Sequence, residues 1–239
     1  MDINKAVRYV TEDKTWLSKL LIGVVMSVLS FLIVPALILQ GYVVKIIRRV
    51  MNGEWDGLPE WDDWGDLLRD GFFVTVAELV YTLPFILLMI IGIAATGGLT
   101  SITNSENAAG LIATTGSLGV LCLIFIFIVA LLLLMPAILI QYAIKDDFGA
   151  LFRFNEVFAL MRNNMADILL VFLVSVGATL VITLVIGVLS LIPCLGWIAA
   201  FLIGLATAPF ISFVTGHLYG QIAAKVLGNK AGGSMTGVA

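Results

Sequence analysis

No lysine or arginine lies between Arg69 and Lys145, and none between Arg162 and Lys225, although the chain of 239 residues carries thirteen of them. Cytoplasmic loops of membrane proteins collect Lys and Arg, so such gaps report helices and loops on or beyond the far side of a bilayer. Four stretches lack any charge: 20–44, 79–105, 107–144 and 168–224, of 25, 27, 38 and 57 residues. A spanning helix needs about 20 apolar residues. The last stretch is too long for one span and breaks around Pro193 and Gly196, where a tight turn is signalled. It yields helices over 166–191 and 197–224. The stretch 92–119 turns rich in Gly, Thr, Ser and Asn, which predicts a loop joining helices over 72–93 and 118–144.

Composition agrees. The chain is 61% hydrophobic and 12% charged, against about 25% charged in soluble domains. The expected fold is an all-α integral membrane protein: one membrane domain over 1–227, a helical bundle with four full transmembrane helices, and a disordered tail over 228–239. A net charge of −3 argues against a nucleic-acid partner, which needs a concentrated basic surface. Cys122 and Cys194 lie far apart in apolar stretches and read as packing residues. The first 19 residues are charged and lack the features of a cleavable signal.

The hydrophobic segment 17–44 admits two readings. By length it is one good span, a fifth. Its flanks, however, are both basic: Lys5, Arg8, Lys14 and Lys19 before it, Lys45, Arg48, Arg49 and Arg69 after it. A re-entrant helical hairpin turning over 30–35 would keep every basic residue on one side, as the positive-inside rule favours. At about 1.5 Å per residue the segment cannot cross twice, but it can dip. A short internal repeat points the same way: 3–7 echoes 154–158, and Gly41-Tyr42 with Lys45 echoes Gly216-His217 with Lys225. Two amphipathic elements are expected on the membrane surface or the cytoplasmic end of the bundle. One lies within 1–15 with Ile3, Ala6, Val7 and Val10 on a face. The other, over 148–162, carries Phe148, Leu151, Phe152, Val157, Phe158 and Met161.

The most distinctive polar sequence is the Trp-rich segment 45–71. It holds Gly41-Tyr42 followed by a basic run, then Leu58-Pro59-Glu60-Trp61-Asp62-Asp63-Trp64-Gly65-Asp66, then Asp70-Gly71. Pro59 fits a first helical turn, with Glu60, Asp62 and Asp63 at its positive end. Trp55, Trp61 and Trp64 are natural interface anchors. Asp62, Asp66 and Asp70, spaced i, i+4, i+8, share one helical face within reach of Lys45, Arg48, Arg49 and Arg69. That face is either a cation or docking site or a solvated stripe pinned by ion pairs. A single acidic stripe makes no closed cage for a divalent ion. The segment resembles the prokaryotic multi-pass membrane family catalogued as domain of unknown function 4013, closely here and more loosely elsewhere. The resemblance implies a multi-pass bundle and no activity.

Within the apolar helices Glu78 stands out, because a carboxylate there is costly without a partner. Tyr81 and Thr82, at i+3 and i+4, are candidate partners. The choice is between a proton or cation relay and a structural bond between helices. Gln40, Tyr42, His217 and Gln221 form a candidate polar cluster beneath the cytoplasmic surface, and Asp167 reads as a helix N-terminal charge. A lone histidine gives no metal spacing. No phosphate loop or nucleophile–base pair appears, and no cofactor is implied. Gly177, Gly187, Gly204 and Gly216 read as close helix contacts. The expectation is a non-enzymatic structural or accessory component of a prokaryotic cell membrane. It would bind lipids and form a homo-oligomer or join a membrane-protein partner, with basic loops and both termini cytoplasmic. The alternative is a small transporter or channel using Glu78 and the hairpin.

Overall fold

The computed structural model describes the backbone of residues 1–235 and the side chains of 1–228. Among these residues every regular element is a helix. The order is α1 (Ile3–Glu12), α2 (Trp16–Val28), a 3-10 turn Leu29–Leu32 and α3 (Val34–Met51). Then come α4 (Trp64–Ser101), α5 (Glu106–Lys145), a 3-10 turn Phe148–Phe152, α6 (Phe154–Asn163), α7 (Met165–Leu189) and α8 (Leu195–Met235). Helices α4, α5, α7 and α8 are long and apolar enough to cross a membrane. The molecule is an all-α membrane bundle. Of the disordered tail expected over 228–239, the part up to Met235 continues α8, and residues 236–239 lie outside those described.

The loop predicted over 92–119 does not exist as such. Helix α4 continues to Ser101 and α5 begins at Glu106. Gly and Thr lower helix propensity by under about 1 kcal/mol each, but lipid offers no other partner for backbone N–H and C=O groups. The polar side chains also cease to compete. The hydroxyls of Thr96, Ser101, Thr114, Thr115 and Ser117 all donate to carbonyls three or four residues back in their own helix.

Helix α3 is the hub. On one side it crosses α4 so closely that a Cβ at Gly41 would stand 1.9 Å from the Leu67 carbonyl oxygen. One at Gly71 would stand 1.7 Å from that of Leu37. Only glycine fits both positions, which explains the two glycines flanking the Trp-rich segment. On its other side α3 packs on α8 at Gly216, against Val43 and Ile46. Gly177, Gly187 and Gly204, by contrast, have open space where a Cβ would stand and are not close contacts.

The segment 17–44 holds two helices, α2 and α3, joined by the 3-10 turn. These two limbs meet again at their bases: Trp61 Nε1 donates to the Lys19 carbonyl at 3.0 Å, and the Trp61 ring stacks on Tyr42 at 3.7 Å. The 3-10 turn closes through Ile33 N–H to Ser30 O, and Ile33 takes a positive φ of 66°. From Lys19 to Phe31 the limb rises about 18 Å. Its tip is apolar and open, with Phe31 75% exposed.

Ion pairs and hydrogen bonds tie α1, α3, α5 and α8 together at one end, the charged end. Arg48 bridges α3 to Asp146 after α5, Lys225 on α8 meets Asp167 on α7, and Asp2 meets Gln221. The buried core clusters here, around Tyr9, Tyr42, Tyr142, Phe213, Ile46, Ile47 and Leu151. In α1 the inward face is Ala6, Tyr9 and Val10; Val7, expected with them, points outward. The second surface element splits into the 3-10 turn and α6. Leu151, Val157 and Leu160 face in, while Phe148, Phe154 and Phe158 stay exposed.

A cleft of about 640 Å³ separates α5 from α7 and reaches α8. It is lined by Ile128, Met135 and Pro136 of α5, by Ile168, Phe172 and Val176 of α7, and by Thr215 and Tyr219 of α8.

Candidate functional site

The Trp-rich segment is not helical before Trp64. Residues 52–63 are irregular, with Asp63 in the left-handed region at φ 50°. Pro59 and Glu60 are therefore no helix start. Asp62, Asp66 and Asp70 do not form one stripe. Asp62 pairs with Lys45, Asp66 lies exposed near Arg69 at 3.5 Å, and Asp70 is buried at 2% exposure. The reason is that the chain turns at Asp63, so the i, i+4, i+8 spacing never sits on a single helix.

Asp70 is instead a junction. It accepts from Arg48, from Arg69 at 3.2 Å and from the Tyr142 hydroxyl at 2.7 Å, while Arg48 also reaches Asp146 at 2.7 Å and lies over the Tyr142 ring. A second junction centres on Lys19. Its ammonium donates to Asp13 at 2.5 Å and to the Leu58 carbonyl at 2.8 Å, and it pairs with Glu60 at 2.7 Å. Burial acts to raise the Asp13 carboxyl pKa, but bonds from Lys19 and Thr15 hold it below its ordinary value. Tyr42 donates to the Pro59 carbonyl at 2.7 Å. The segment is thus pinned by its backbone and by Trp61, which is core; Trp64 is exposed and Trp55 half-buried.

Glu78 finds its partner on another helix. Gln40 Nε2 donates to it at 2.5 Å across the α3–α4 crossing. Tyr81 turns away and donates to the Leu151 carbonyl at 2.9 Å; the Thr82 hydroxyl goes to the Glu78 backbone carbonyl. The four-residue cluster expected beneath the surface divides. Gln40 belongs with Glu78, Tyr42 with Pro59 and Trp61, and only His217 and Gln221 adjoin, at 3.1 Å.

Sequence reasoning missed the companions of His217. Tyr9 packs on its ring at 4.5 Å and Trp55 meets it edge-on at 5.7 Å. Gln221 accepts from the Asp2 N–H at 2.7 Å and donates to the Asp2 carbonyl at 3.0 Å. The available signal was Tyr9 itself, one helical turn from Ala6 and beside Val10. Asp167 receives Lys225 at 2.6 Å, and both cysteines are free and exposed. Among the described residues no group of three or more His, Cys, Asp or Glu side chains converges on a metal-sized site.

The family model described as protein of unknown function (DUF4013) matches residues 26–192. The chain belongs to that family. It is also similar to the uncharacterized protein MJ1189 of Methanocaldococcus jannaschii, 27% identical over 154 residues, which is 64% of this chain and 51% of that protein. The chain thus spans about half the length of this curated relative. No solved structure matches.

Proposed function

We propose that this member of the DUF4013 family is a non-enzymatic, multi-pass component of a prokaryotic cell membrane, which acts by binding a membrane partner, a second copy or lipids. One observation carries the reading. In each of the four spanning helices at most 17% of the most apolar window is buried. The molecule invests its packing at the charged end and leaves long apolar helix faces for others to cover. Large exposed apolar surfaces are association surfaces or lipid contacts.

The cleft between α5 and α7 suits an apolar occupant such as a lipid chain. The hydroxyls of Ser175, Thr179 and Thr215 inside it are spent on their own helix carbonyls, so apart from Tyr219 its lining offers hydrocarbon to its occupant. The charged end faces the cytoplasm by the positive-inside rule. The hairpin α2–α3 re-enters from that side, and exposed Phe154 and Phe158 of α6 rest at the headgroup boundary as an amphipathic surface helix.

Native mass spectrometry after gentle extraction tests the proposal. A homo-oligomer, a fixed-stoichiometry complex or retained phospholipid is expected; a bare monomer from native-like lipid overturns it. A second reading, a small transporter or channel working through Glu78, draws on the Glu78–Gln40 bond inside the bundle. Neither residue lines the α5–α7 cleft. Unchanged solute flux in Glu78→Gln removes Glu78 from any such mechanism.

A further inference from the structure

The N-terminal helix is held to the bundle by an amide whose orientation is fixed, and that fixes the protonation of the one histidine in the chain. The Asp2 N–H is a donor, so the Gln221 atom facing it at 2.7 Å must be Oε1. The Gln221 amide nitrogen then faces both the Asp2 carbonyl at 3.0 Å and His217 Nδ1 at 3.1 Å. An NH₂ group can only donate, so Nδ1 must accept. His217 is therefore neutral and carries its proton on Nε2, an atom that is buried without a partner. Flipping the amide would rescue a protonated Nδ1 only by setting NH₂ against the Asp2 N–H.

We propose that α1 is an acid-released clasp: a second proton on His217 breaks the His217–Gln221–Asp2 chain and frees α1 from α8. Protonation of Nδ1 turns that hydrogen bond into two donors face to face. It also places a cation, fully buried, between the Tyr9 and Trp55 rings. Undocking α1 relieves both, because Tyr9 and Asp2 leave together and water reaches the ring.

The charged groups facing the imidazole are Lys5 and Asp2 of the α1 end. Arg49 of α3, Glu54 of the 52–63 segment and Asp13 face the neighbouring Tyr9 ring. Burial pushes the Tyr9 phenol upward, so it stays protonated across the range concerned. The Asp13–Lys19 ion pair ties the other end of α1, so release pivots on the α1–α2 elbow. What release uncovers is an apolar strip on α1, Ala6, Tyr9 and Val10, together with the α8 surface beneath it.

Because the chain has a single histidine, nitrogen-labelled histidine NMR of the whole protein in nanodiscs reports one ring. Hydrogen exchange, corrected for intrinsic rate, follows α1 in parallel. At pH 7.5 the Nε2–H tautomer is expected. On acidification, imidazolium should appear at the pH where α1 amides exchange at least tenfold faster, with α4 and α5 amides unchanged. His217→Phe keeps the ring packing and should hold α1 down through that range, and Gln221→Leu should loosen α1 already at pH 7.5. An Nδ1–H tautomer at neutral pH overturns the proposal. So does imidazolium with α1 still protected, or simultaneous loss of protection in every helix. The first measurement needs only the wild-type protein, so the test stands if a variant does not fold.

Discussion

Among single residues Asp70 carries the largest local burden. It is buried, and three donors from three places in the chain converge on it. Removing one partner of a buried ion pair leaves the other uncompensated, at a cost of about 3 kcal/mol. Asp70→Ala is therefore expected to lower the unfolding free energy in detergent by about that amount. Tyr142→Phe should cost about 1 kcal/mol, and exposed Asp66→Ala about 0.5 kcal/mol or less. Equal effects at Asp66 and Asp70 would dismiss the junction. Asp13 sets a pH dependence of its own. Its folded pKa is depressed, so its contribution is present above the unfolded value of about 3.9 and is lost as pH falls through the folded value. Unfolding curves should be insensitive to this pair at pH 5 and lose stability below about pH 4, a loss that Asp13→Asn abolishes. The sequence announced Asp70 only as part of a regular acidic spacing. What it hid was the left-handed turn at Asp63, which takes Asp62 off the helix and leaves Asp70 facing inward.

At the level of elements, the crossing of α3 and α4 depends on two missing side chains. Gly71→Ala would press a methyl group into the Leu37 carbonyl, and the backbone cannot yield as a flexible side chain would. Loss of the folded species on size-exclusion chromatography, or a drop of several degrees in Tm, is expected for Gly71→Ala but not for Gly177→Ala, which meets open space. Trp61→Ala removes the plate between Tyr42 and the base of α2 and should cost about 3–5 kcal/mol. The four spans were legible because charge-free length is a direct consequence of lipid as solvent. Helix ends were less so: the Gly- and Thr-rich stretch reads as loop by propensities that hold in water, where hydroxyls compete with the ladder. Partners across helices were least legible. Glu78 was visible as an anomaly, but Gln40 lies 38 residues away and only the crossing brings it near.

For the whole molecule, the placement of charge at one end makes a topological prediction. In a background lacking Cys122 and Cys194, Asn104→Cys should react with a membrane-impermeant maleimide in intact cells. Lys14→Cys and Asp56→Cys should react only after permeabilisation. Labelling of Lys14→Cys and Asp56→Cys from opposite sides would make 17–44 a span. The unequal length of the spanning helices has a further consequence for the surrounding bilayer. With 38 and 40 residues α4 and α5 are about 57–60 Å tall, against about 38 Å for the 25 residues of α7. Among the four spanning helices α7 is the short one, and a mismatch between helix length and bilayer thickness is relieved by tilt, by local thickening or by association. Lipids beside α7 and lipids beside α5 therefore meet helices of unequal height, and they cannot all rest at the same length.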